Sequence, residues 1–221
     1  MLGCMKRLSL SASGLTAAQY QRLSTLSTPI EIQDFLDALP MNWEKSGDTH
    51  HSPASALAAR KAHCIEGALI AATALWIAGE RPYIMDLWAN EKRDGEDHLV
   101  ALYQRGKYWG AISKTNHASI RFRDPVYRTP RELALSYFHE WFLNTTGEKT
   151  LEAYTRPYDL SKLGTGWIAA RDDLWYLDDV VNALPHYPLM PRGHERYVRK
   201  ADAMERRAGR LIEWKKSDPR T

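Results

Sequence analysis

The chain has 221 residues, with 30 Lys and Arg against 27 Asp and Glu, for a formal net charge of +3. That length can bury a sizeable core, and no apolar run approaches the ~18 residues of a membrane-spanning helix. Residues 192–221 carry ten Lys or Arg and five Asp or Glu, so the surplus sits in the tail. A weakly basic tail without a recognition motif argues against nucleic-acid binding.

Residues 1–12 read as a loose leader, too short and polar in its apolar part for a signal sequence, and a cytoplasmic location is the expectation. Apolar residues at Leu15, Tyr20, Leu23 and Leu26 predict an amphipathic helix. Ser27-Thr28-Pro29 with Glu31 signals the start of a second helix, which Pro40 stops. Ser52-Pro53 repeats that signal and opens a helix over 54–62. The run from Cys64 to Ala78 has only Glu66 and Thr73 as polar residues, which predicts a helix covered on every side, closed by Gly79. No strong cap precedes Cys64, so the pattern leaves open whether it starts a helix or lies inside a longer one.

Strands follow at 82–89, 98–104 and 108–113, separated by a charged loop over 90–96 and a turn at Arg105-Gly106-Lys107. Three close strands imply an antiparallel meander against the buried helix, an α+β arrangement. Asp124-Pro125 reads as a turn. Thr129-Pro130 caps a helix running through Phe142, and 167–184 holds one or two more. Pro185, Pro188 and Pro191 interrupt regular structure, and 194–216 reads as a charged terminal helix. The organisation expected is a single domain over 1–221, with a core near 52–144, N-terminal helices over 13–40 and an extension over 150–221.

Two cysteines, Cys4 and Cys64, make no disulfide framework, and no Cys/His spacing matches structural zinc. No metal and no cofactor is expected. Cys64 opens the buried helix and His98 opens a strand, and these are the parts of a thiol hydrolase. The segments His63-Cys64-Ile65-Glu66-Gly67-Ala68-Leu69-Ile70-Ala71-Ala72, Asp97-His98-Leu99-Val100-Ala101-Leu102-Tyr103 and Trp109-Gly110-Ala111-Ile112-Ser113 resemble transglutaminase-like proteins of the papain-like cysteine-hydrolase superfamily. The resemblance covers residues 52–144. It implies a papain-like core, Cys64 as nucleophile and His98 as its base. The family's aspartate, which orients the histidine, falls at Ser113 here.

Strand pairing leaves three residues for that third role. A two-residue Arg105-Gly106 turn puts Ser113 opposite His98, whereas a three-residue loop puts Lys114 opposite and Asn116 diagonal to it. Asp86, on the preceding strand, is the other contender, level with Asn116 and ahead of Ser113. His63, beside Cys64 in sequence, is expected to point to another side of the helix, and Glu66 to cap or form a salt bridge.

Two functions fit. One is a cysteine-dependent amide or ester hydrolase or acyl transferase acting on a protein, peptide or small amide, with no nucleic-acid or membrane partner. The other is an inactive fold of the same type serving as a protein-binding module.

Overall fold

The computed structural model describes residues 5–90 and 95–219. Cys4 and part of the expected 90–96 loop fall outside these residues. The N-terminal half is helical: α1 (Leu10–Ser13), α2 (Ala17–Ser24), α3 (Pro29–Ala38) and α4 (Pro53–Ala59). Local chemistry sets their starts. Thr16 with Gln19 and Thr28 with Glu31 form reciprocal capping boxes, and the Ser52 side chain accepts from the Ser55 N–H.

The chain breaks at Arg60, whose φ of +58° ends α4, and a new helix, α5 (Cys64–Ala78), begins. Cys64 is thus the first residue of its own helix. His63 is the N-cap, and its backbone N–H donates to Glu66 Oε2 at 3.0 Å. Gly79, at φ +94°, closes the helix, a geometry that costs a residue with a Cβ. Every residue from Glu66 to Ile77 is buried. The helix packs on the sheet and is roofed by α2, α3 and α4. Each of Leu69, Ile70 and Leu75 contributes about 1.5–3 kcal/mol by leaving water.

The sheet begins with β1 (Tyr83–Ala89), β2 (His98–Arg105), β3 (Tyr108–Ile112) and β4 (Arg123–Tyr127). After α6 (Pro130–Phe138) come β5 (Leu151–Thr155) and β6 (Tyr158–Asp159), then α7 (Trp175–Asn182), β7 (His186–Pro188) and α8 (Ala203–Gly209). The strand order is β4-β3-β2-β1-β5-β7, with β6 also paired to β1, and the pairs are antiparallel. Alternation along β2 sends Leu99, Ala101 and Tyr103 to the α5 side and Val100 and Leu102 to the α6 side. The protein is therefore a mixed α/β fold with a buried helix on an antiparallel sheet. No helix among the described residues is long and apolar enough to cross a membrane.

Four expectations change. Asp124 and Pro125 lie inside β4, where an edge strand tolerates a residue without an N–H. The helix begun at Pro130 ends at Phe138, and Trp141 and Phe142 turn toward a cleft. The terminal helix shrinks to α8, because tertiary contacts override weak propensity. Ala201 N–H donates to the Gly147 carbonyl at 2.8 Å, Asn144 Nδ2 donates to the Gly209 carbonyl at 3.1 Å, and Trp43 Nε1 donates to the Trp214 carbonyl at 2.6 Å. The β2–β3 turn residues are Gly106 and Lys107, because Arg105 pairs with Tyr108 and Ala101 with Ile112. Neither register drawn from the sequence applies. Continued by one residue, the observed register sets Ser113 level with Val100, diagonal to His98 on one face.

Candidate active site

Cys64 occupies the first turn of α5, where unpaired N–H groups and the helix dipole favour a negative group. Its sulfur lies 3.9 Å from His63 Nδ1. Burial pushes the thiol up, but hydrogen bonds from His63 and His98, and the charges of both rings, bring it down to about 5. Both histidines are buried. The sequence placed His63 on another side of the helix, but the structure turns its ring onto the sulfur. As N-cap, His63 has an extended backbone that frees its side chain from the helical spiral.

Behind His98 stands Ser113, whose Oγ lies 2.7 Å from His98 Nε2. The Ser113 hydroxyl also lies 2.7 Å from the Ile120 carbonyl, which can only accept. Its single proton therefore goes to Ile120, and its oxygen accepts from His98 Nε2–H. Ile120 itself has a φ of +53°, an unfavourable conformation for a β-branched residue. The backbone of Ser113 is clamped by α3: its N–H donates to Gln33 Oε1 at 2.9 Å, and its carbonyl accepts from Gln33 Nε2 at 2.8 Å. Gln33 was not singled out from the sequence. A buried amide in an apolar helix face is the one signal that points to it.

The other candidates for the third role are placed elsewhere. Asp86 Oδ2 lies 3.2 Å from His186 Nε2, and its backbone N–H donates to Thr155 Oγ1. Burial and the charge of Asp97 raise the Asp86 carboxyl well above its usual range, and His186 offsets part of that rise. Asn116 is buried in the wall of a cleft, with its carbonyl accepting from the Glu213 N–H at 2.8 Å. Lys114 is fully buried, and its ammonium donates to the Leu36 carbonyl at 2.8 Å and to the Leu39 carbonyl, capping α3. Desolvation lowers it to about 8.

Behind His63 stand carboxylates. His63 Nε2 is 2.8 Å from the Thr49 carbonyl, 3.5 Å from Glu66 Oε1 and 3.6 Å from Glu44 Oε1. Glu66, fully buried, also accepts from Asn42 Nδ2 at 3.1 Å, Thr49 Oγ1 at 3.0 Å and the His51 N–H at 3.2 Å. His51 Nδ1 lies 2.9 Å from Glu66 Oε1 without hydrogen-bond alignment.

Two cavities meet at the sulfur. One, of about 360 Å³, is walled by Trp43, Asn116, Trp141 and Phe142. The other, of about 250 Å³, is walled by Ile65, Leu69, Leu177 and Val181, with Asp86 and Asp178 as polar groups. Cys64, Asp97 and His98 line both. No cluster of His, Cys, Asp or Glu among the described residues is arranged to hold a metal ion.

No protein-family model matches the chain, and no curated protein matches it in sequence.

Proposed function

We propose that this protein is a cysteine-dependent amide or ester hydrolase or acyl transferase, built on a transglutaminase-like, papain-like core. The observation that carries the reading is Cys64 at a helix N-terminus, with His98 beside it on the walls of the same two cavities. A helix start and adjacent imidazoles are what lower a cysteine into the reactive range of about 3.5–7.5. Because Ser113 takes Nε2–H, the other ring nitrogen of His98 is left for the thiol.

In this mechanism the Cys64 proton passes to His98 Nδ1, and the thiolate attacks the substrate carbonyl. The leaving nitrogen or oxygen takes that proton from His98 as its bond to carbon breaks, leaving a thioester on Cys64. Water or an amine then attacks the thioester. His98 takes the attacker's proton and returns it to the departing sulfur. The substrate is a protein, peptide or small amide reaching the sulfur through the cavities.

Labelling with iodoacetamide across pH tests the reading. Wild type is expected to be labelled at Cys64 with a midpoint in the acid range, and Cys64→Ala to lose that labelling. A Cys64 that reacts as a free peptide thiol, near pH 8.5, would remove the enzyme. The neutral hydroxyl behind His98 favours the second reading, a binding module of the same fold, and that result would select it.

A further inference from the structure

Two imidazoles stand by one sulfur, His63 with Nδ1 at 3.9 Å and His98 on the walls of the same two cavities, and they are backed differently. His98 leans on a hydroxyl, whereas His63 leans on a buried carboxylate, a second carboxylate and a carbonyl. We infer that His63 is a catalytic residue, the standing cation that holds Cys64 as thiolate, and that Glu66 takes behind His63 the place an acid ordinarily takes behind the base. His98, oriented by Ser113, is left to carry the moving proton. The inference rests on Cys64 being the nucleophile.

Geometry fixes the arrangement. The Thr49 carbonyl can only accept, so His63 donates from Nε2, and a cationic ring presents Nδ1–H to the sulfur. Several elements bring groups to this ring. Glu44 and Thr49 come from the segment before α4, with His50 packed edge-on at a centroid distance of 5.9 Å. Asp178 lies 2.9 Å from His50 Nε2. Glu66 comes from α5, and His51 touches both Glu66 and, at 3.9 Å, Asp173. His98, Asp97 and Asp86 line the adjoining cavity together with Cys64. Glu66 is completely buried, so its charge demands a nearby cation far more than an exposed carboxylate would. Burial lowers the His63 ring, yet the Cys64 hydrogen bond and charge, then Glu66 and Thr49, lift it to about 10.

The chemistry separates into two roles. His63 keeps its proton throughout and stabilises the sulfur anion before attack and again on deacylation. His98 accepts the thiol proton and returns it to the leaving group. No net charge is added to His63 at any step.

The test is the pH dependence of iodoacetamide alkylation in wild type, His63→Gln, Glu66→Gln and His98→Gln. His63→Gln is expected to raise the Cys64 midpoint by about one to three units, the size of one lost counter-charge. Glu66→Gln should raise it too, and His98→Gln should raise it less than His63→Gln. If His98→Gln takes the larger shift and His63→Gln leaves the midpoint in place, the inference falls while the enzyme reading stands. A wild-type midpoint near 8.5 defeats the enzyme reading itself. Should a variant not fold, imidazole nitrogen NMR of the wild type decides. His63 is expected to stay doubly protonated through pH 8, and a neutral His63 there would overturn the inference.

Discussion

Ser113→Ala isolates the smallest group on which the orientation of the base depends. The substitution deletes one oxygen that both accepts from His98 Nε2 and donates to Ile120, at 2.7 Å each. It leaves the Gln33 clamp on the Ser113 backbone untouched, so the chain path through this point is kept. Buried His98 and the half-buried Ile120 carbonyl each lose a hydrogen bond, at about 1–3 kcal/mol each if no water reaches them. His98 and Ile120 both line the larger cleft, where water can enter, so the lower end applies: about 2 kcal/mol in total. The kinetic loss should be greater in kind. A base that has lost its orienting partner forfeits part of the roughly 10²–10⁴-fold that positioned proton transfer supplies. The acylation rate with p-nitrophenyl acetate should drop at least about tenfold, with the alkylation midpoint of Cys64 nearly unmoved, since His63 is intact. Ser113→Asp should not rescue the rate, because an ionised carboxylate has no proton for the Ile120 carbonyl. Acylation by Ser113→Ala within twofold of wild type would refute the reasoning.

Gly67→Ala should destabilise the fold by about 1–3 kcal/mol in urea titration, despite a helix-propensity gain of about 1 kcal/mol. The added Cβ would sit 2.2 Å from Lys114 Cβ, whose backbone neighbours Ser113. Asp86→Asn should change the pH dependence of stability. The folded-state pKa of Asp86 is raised, so its contribution is fully present below about pH 4 and is lost as pH rises through the folded value, near 7. The melting temperature of Asp86→Asn minus that of wild type should therefore climb between pH 4 and 8, and a flat difference would count against the burial argument. Gln33→Ala removes both hydrogen bonds to the Ser113 backbone and should slow acylation while leaving Cys64 alkylation intact, as measured with the same two probes.

The central helix was legible because fifteen residues with two polar positions have one stable environment, and it closes at Gly79 as expected, whereas its start at Cys64 was left open by the pattern. The three meander strands were legible from short apolar runs between turn residues. β5, β6 and β7 were not, since strands of two to five residues carry too few alternations to stand out. Cys64 and His98 line the same two cavities. The partner of His98 was less legible, because a one-residue change in a hairpin turn alters which side chains are neighbours. Asp86 and Asn116 offered better hydrogen-bonding chemistry than Ser113, yet register gave Ser113 the contact. His63 was hidden by its own adjacency to Cys64. Neighbouring helical positions diverge by about 100°, but an N-cap residue does not obey that spacing.

A rod sealed on all sides has little freedom to tilt or slide. The amides of α5 should therefore be among the last in the molecule to exchange with deuterated solvent, opening only when the whole fold opens. The walls around its half-buried tip are of another kind: Asp97, residues 114–117, Ser119 and Ile120 lie in connecting segments. Accommodation of an incoming molecule then falls to those loops, and the sulfur serves as the fixed reference against which they adjust.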